Sequence, residues 1–126
     1  MSKSKKAVVV DDDKKTIILV EDILIPLGFQ VFCAEEGKEA MELVKKEKPD
    51  IFICDLLLPV IHGVELCNMV KQDPALDNVK VIAISAVYNE SYYKRALDCK
   101  ADTFIEKPFS VEDFGQLVKE VENRSA

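Results

Sequence analysis

Five short runs rich in Val, Ile and Phe recur along the chain, and a segment with helical periodicity follows each of them. The strand candidates are Lys6–Asp11, Gln30–Ala34, Ile51–Asp55, Lys80–Ser85 and Thr103–Glu106. Several are nearly unbroken apolar runs, as strands covered on both faces must be. The helix candidates are Lys14–Leu27, Lys38–Glu47, Gly63–Lys71, Glu90–Cys99 and Val111–Glu122. Gly28 is a good C-terminal stop, while Pro26 predicts a kink or an early end of the first helix. Ser110 with Asp113 has the spacing of a capping pair at the last helix. Five βα units of this size predict an α/β fold with a doubly wound parallel sheet.

With 126 residues the chain is long enough for one domain with a real core and too short for two. We read residues 1–126 as a single domain with an ordered core over about 6–122, and the last four residues as frayed. The net charge of -6 opposes nucleic-acid binding, which wants a basic face. No apolar run approaches the roughly 20 residues that cross a bilayer. The basic start, Met1 to Lys6, leads into a short apolar stretch that ends in acids, unlike a secretory leader. Cys33, Cys54, Cys67 and Cys99 form no CxxC pair and read as small buried thiols in a reducing cytoplasm.

The chemistry gathers at strand ends. Asp55 closes the run Ile51-Phe52-Ile53-Cys54, and Asp11-Asp12-Asp13 closes Ala7-Val8-Val9-Val10. A carboxylate at the end of a buried strand is costly unless something charged meets it. In a parallel sheet both strands end on one edge, so the acids crowd one crevice and invite a hard divalent cation such as Mg2+. Lys107 follows the fifth run and adds a positive charge there. Doubly wound sheets bind ligands beyond the carboxyl ends of their strands, at the switch in strand order. Asp13 alone reads as a helix cap.

The chain resembles the receiver domain of bacterial two-component response regulators. The resemblance is carried by Val8-Val9-Val10-Asp11-Asp12-Asp13, Leu27-Gly28-Phe29-Gln30-Val31, Gly37-Lys38-Glu39-Ala40, Pro49-Asp50-Ile51, Cys54-Asp55-Leu56, Leu58-Pro59 with Gly63, Ile84-Ser85-Ala86 and Lys107-Pro108-Phe109. The segments stand in family order at family spacing over nearly the whole chain. The resemblance implies a flavodoxin-like sheet of order 2-1-3-4-5 with five helices.

By the same resemblance, Asp55 matches the phosphoacceptor. Asp12 matches the direct Mg2+ ligand, Asp11 the acid that reaches the metal through water, and Leu57 the position that lends a backbone carbonyl. Mn2+ is expected to substitute. Ser85, followed by Ala86, matches the hydroxyl residue that moves to bond the phosphoryl group, and Lys107 the lysine that pairs with it. The bond to Pro108 is expected to be cis. Phe104 matches the aromatic that rotates inward when Ser85 moves, shifting the surface of the fourth helix, fifth strand and fifth helix. The implied protein is cytoplasmic and is no enzyme beyond its own phosphorylation and slow autodephosphorylation. Its donor is a sensor histidine kinase or a histidine phosphotransfer protein docking near the first helix. Its output partner binds the switched face, and it is a monomer or weak dimer.

Some positions depart from the pattern. His62 stands where the family usually has Asp, and reads as a solvated loop histidine. Ser85 replaces the commoner Thr but keeps the hydroxyl. Leu57 and Val87 flank the phosphoryl site with apolar groups, which predicts slow self-dephosphorylation; Leu57→Asn with Val87→Glu should shorten the phosphoryl half-life. Tyr88, Tyr92 and Tyr93 fall on the fourth helix, toward the output face.

Three rivals remain. A haloacid-dehalogenase-type phosphatase also forms an aspartyl phosphate, and Asp11 with Asp13 imitates its acids, but Asp55 would have no role; activity on phosphate esters discriminates. A phosphorylation-independent pseudo-receiver is opposed by the complete acid set, Ser85 and Lys107. A flavin mononucleotide carrier is opposed by the lack of a Ser/Thr/Gly-rich phosphate loop after the first strand. The absence of an effector segment fits either a stand-alone regulator or a receiver taken from a longer chain.

Overall fold

The computed structural model describes residues 5–56, 63–85 and 99–123. The described elements are β1 (Lys5–Val10), α1 (Lys14–Leu24), β2 (Phe29–Ala34), α2 (Gly37–Glu47), β3 (Ile51–Asp55), α3 (Gly63–Gln72), β4 (Lys80–Ser85), β5 (Thr103–Glu106) and the C-terminal helix α4 (Val111–Asn123). Short 3-10 turns at Ile25–Leu27 and Pro74–Leu76 follow α1 and α3. The five strands are all parallel, in the order β2-β1-β3-β4-β5. The expected sheet is therefore present. The fourth helix candidate, Glu90–Cys99, falls outside the described residues apart from Cys99, so four α-helices are described where the sequence suggested five.

Alternation along the strands sorts the core into two layers, because successive side chains of a strand point to opposite faces. Val8, Val10, Phe52, Cys54, Val81 and Ala83 pack under α2 and α3, against Ala40, Val44, Leu66 and Val70. Ala7, Val9, Ile51, Ile53, Ile82 and Ile84 pack under α1 and α4, against Val20, Leu24, Phe114 and Val118. A strand covered on both sides has no polar face to present, which explains why β1 and β3 read as unbroken apolar runs.

Helix ends follow local chemistry. Asp13 caps α1, its Oδ1 accepting from Lys15 N at 3.0 Å and its Oδ2 from the Thr16 hydroxyl at 3.2 Å. The helix ends at Leu24, three residues before the expected limit, and the chain tightens into the turn that contains Pro26. Proline has no N–H to extend the α-helical ladder. Gly28 then takes φ 97, a left-handed conformation that glycine adopts without steric penalty. At α4, Asp113 N donates to Ser110 Oγ at 3.0 Å, the capping bond expected from their spacing.

All four cysteines are free; Cys54, Cys67 and Cys99 are buried and Cys33 is half-buried. Burial, reinforced by Glu21, pushes the Cys33 thiol up to about 11, so it stays protonated at neutral pH. Cys67 is also raised, chiefly by its hydrogen bond with Cys54.

Candidate functional site

Strand order reverses at β1 and β3: the chain goes from β1 to β2 on one side and then to β3 on the other. Val10 stands opposite Cys54 in the β1–β3 register, so the next residues, Asp11 and Asp55, leave the sheet side by side. Asp11 is 0% exposed and Asp55 is 5% exposed. Asp12 lies beside them in the open. One carboxylate oxygen from each of Asp11, Asp12 and Asp55 falls within 4.8 Å of the others.

Lys107, just past β5, directs its ammonium into this cluster. Its Nζ lies 3.1 Å from Asp11 Oδ2 and 3.6 Å from Asp55 Oδ2. Burial alone would lower its pKa, but the charges of Asp55 and Asp11 outweigh that effect and hold it above the ordinary lysine value. The ammonium is therefore a fixed positive charge throughout the physiological range. The Lys107–Pro108 peptide bond is cis.

Among the described residues the cluster sets three carboxylates against the one ammonium of Lys107, so these groups together are net negative. Unit charges about 4 Å apart repel by about 4 kcal/mol at an effective dielectric near 20. The strain is eased in part by backbone donors: Asp13 N donates to Asp11 Oδ1 at 2.8 Å. Asp11 Oδ2, by contrast, is buried and accepts no hydrogen bond among the described residues; its ammonium neighbour is an ion pair. A buried, oxygen-only, net-negative donor set suits a hard divalent cation, and a soft metal would want sulfur or imidazole. The residues present thus fit such an ion.

Other site candidates are placed as follows. Ser85 ends β4, one residue beyond Ile84, which stands opposite Asp55. Phe104 lies on β5 opposite Ala83 and is 41% exposed. Leu57, His62, Ala86 and Val87 and the three tyrosines lie outside the described residues.

Two contributions escaped the reading of residue types. The Asp13 backbone N–H orients Asp11 through an i to i+2 bond, for which the Asx-turn habit of aspartate was the available signal. Gly63, at the start of α3, packs directly on the backbone of Asp55 and Leu56. A Cβ there would stand 2.8 Å from the Asp55 carbonyl carbon and closer still to its oxygen. Glycine at this position is what lets α3 begin so near the acceptor strand.

Among the described residues, no helix is long and apolar enough to cross a membrane.

Known proteins share this fold, at up to 31% sequence identity among those compared below. A crystal structure of a protein described as a response regulator from Chloroflexus aurantiacus J-10-fl matches with a TM-score of 0.85 and 31% identity, covering 94% of this chain and 98% of that one. The signal receiver domain of a signal transduction histidine kinase from Syntrophus aciditrophicus matches with a TM-score of 0.87 and 29% identity, over 93% of this chain and 89% of that one. The alkaline phosphatase synthesis transcriptional regulatory protein PhoP of Bacillus subtilis (strain 168) is 31% identical over 122 residues. That alignment takes in 97% of this chain and 50% of PhoP, so the chain spans half the length of that relative. The response regulator receiver domain family matches residues 7–119. The chain belongs to that family, and is a two-component signalling domain rather than a classical enzyme.

Proposed function

We propose that Asp55 accepts a phosphoryl group from a phosphohistidine and that the resulting aspartyl phosphate switches the protein's binding surface. The observation that carries this reading is the convergence of Asp11, Asp12 and Asp55 within 4.8 Å, with Lys107 bridging Asp11 and Asp55. Asp11, Asp12, Asp55 and the Leu57 carbonyl would hold Mg2+, or Mn2+ in its place, which when bound neutralises the carboxylates and the oxygens of the incoming group.

The chain's own residues do the rest. An Asp55 carboxylate oxygen attacks phosphorus in line with the departing imidazole nitrogen. The phosphorus–nitrogen bond breaks, and the released imidazole takes up a proton. Lys107, already fixed beside Asp55, offers its ammonium to the phosphoryl oxygens without reorganising. The Ser85 hydroxyl donates a further hydrogen bond. Transfer leaves added negative charge and three acceptor oxygens at one point. The pull on Ser85 shifts the segment after β4, and Phe104 turns inward to fill the space vacated. The output surface is the face of β5 and the helices flanking it. The donor is a sensor histidine kinase or a histidine phosphotransfer protein, and the setting is the cytoplasm.

Intact-mass measurement after incubation with acetyl phosphate tests this reading. One added phosphoryl group that requires both Mg2+ and Asp55 supports it. Failure of the folded wild type to gain mass, together with failure to bind beryllofluoride, favours a pseudo-receiver.

A further inference from the structure

The two edges of the sheet are unlike. β5 is four residues long and ends in the charged Glu106. β2 is six residues long, Phe29-Gln30-Val31-Phe32-Cys33-Ala34, with neither a charge nor a proline. Its register with β1 runs unbroken from Phe29 to Ala34, so no bulge turns this edge aside. Edge strands are normally blunted by such devices, because their open N–H and C=O groups invite another strand.

The direction of those groups follows from one bond. The Ala34 carbonyl accepts from Asp11 N at 3.2 Å, so the backbone of Ala34 faces β1. Facing alternates along a strand, so Gln30 and Phe32 also bond toward β1, while Phe29, Val31 and Cys33 turn their backbone groups outward. β2 pairs with β1 alone, and these outward groups bond nothing among the described residues.

Charge at the two ends of β2 indicates what fits there. Lys5 stands at its start: the ammonium lies 4.7 Å from the Phe29 ring centroid, and the side chain passes beside Gly28. Glu35 stands just past its end, with a side chain 57% exposed and Lys14 no nearer than 3.8 Å. Both lie on the side of the sheet covered by α1 and α4, where Lys5 reaches Glu122 and Glu35 approaches Lys14. A second β2 laid antiparallel, with Val31 facing Val31, sets each Glu35 beside the other copy's Lys5. The same register sets Phe29 against Cys33, and every outward N–H then meets an outward C=O. A two-fold contact pairs a surface with itself, and this edge carries opposite signs at its two ends.

We propose that the β2 edge is a strand-pairing surface, on which a second copy of this chain adds its own β2 antiparallel about Val31 and joins the two sheets into one. The backbone bonds hold the copies together, and the two charge pairs fix the register more than they add affinity. The contact uses no residue of the acid cluster and does not depend on phosphoryl transfer.

Residue-resolved amide exchange of the full chain, followed by NMR over a concentration series beside sedimentation, tests this. As the chain associates, exchange at Val31 and Cys33 should slow in proportion to the paired fraction, while Phe32, already bonded to β1, changes little. Glu35→Lys should weaken association about tenfold, because two exposed ion pairs become two repulsions. Val31→Pro removes an outward N–H and leaves the β1 ladder intact, and should abolish association. The exchange measurement needs no variant, so it decides the matter even if Val31→Pro misfolds. A chain that stays monomeric throughout, an associated chain whose Val31 and Cys33 amides exchange at the monomer's rate, or an association constant that neither substitution lowers would each overturn the assignment.

Discussion

Lys107 sets its ammonium 3.1 Å from the buried carboxylate of Asp11, although β5 and β1 are separated in the sheet by β4 and β3. The lysine spans the carboxyl edge of the sheet and ties its last strand to its first. One charge is thereby shared between the deepest acid and the proposed acceptor.

This sharing predicts competition between the ammonium and a bound divalent cation. Lys107→Met should bind Mg2+ on the order of tenfold more tightly, because a positive charge within about 4 Å of the ligands has gone. Its phosphorylation by acetyl phosphate should nonetheless be slower. Titration calorimetry with Mg2+ checks the first point; unchanged affinity would mean that Lys107 plays no part in the charge balance of the cluster.

The pH dependence of stability follows from the same pair. The folded pKa of Lys107 is raised above 10.5, so its contribution is fully present below the unfolded value and is lost as pH rises through the folded one. The stability difference between wild type and Lys107→Met should hold constant from neutral pH up to about 10.5 and shrink only above it. Urea unfolding of both proteins over that range measures it. A difference that vanishes already in mildly alkaline solution would contradict the assignment.

Gly63→Ala should damage both stability and function. The new methyl would overlap the backbone of Asp55 and Leu56, neither of which can turn aside as a side chain could. Overpacking of this kind costs about 1–3 kcal/mol. The urea midpoint should fall accordingly, and phosphorylation by acetyl phosphate should slow in the fraction that remains folded.

Much of this was legible in the sequence, for identifiable reasons. Ile51–Asp55 was readable as β3 to the residue, because a doubly covered strand leaves no polar face to blur its limits. The end of α1 was less so. Pro26 announced a break, but the helix stops at Leu24 because the turn tightens ahead of the proline. The acids could be assigned to one edge from the parallel-sheet reading alone. That Lys107 reaches Asp11 depends on strand order and side-chain reach, which no local pattern carries. The hold of Asp13 N on Asp11 depends on a turn conformation, and the crowding at Gly63 on how closely α3 approaches β3.

Gly115→Ala should stabilise the fold by about 0.5–1 kcal/mol, through helix propensity alone. The added methyl finds Ile23 at ordinary contact distance and displaces nothing. Thermal unfolding measures the gain. A loss would show that α4 needs the glycine for its own packing.

Asp55 is the proposed site of phosphorylation. Borohydride cleaves an aspartyl phosphate and converts that aspartate to homoserine, which peptide mass spectrometry can locate. After treatment with acetyl phosphate and Mg2+, homoserine is expected at position 55 alone, and at no position when Mg2+ is chelated. Homoserine at position 11 or 12 instead, or at no position despite a folded and Mg2+-loaded protein, would contradict it.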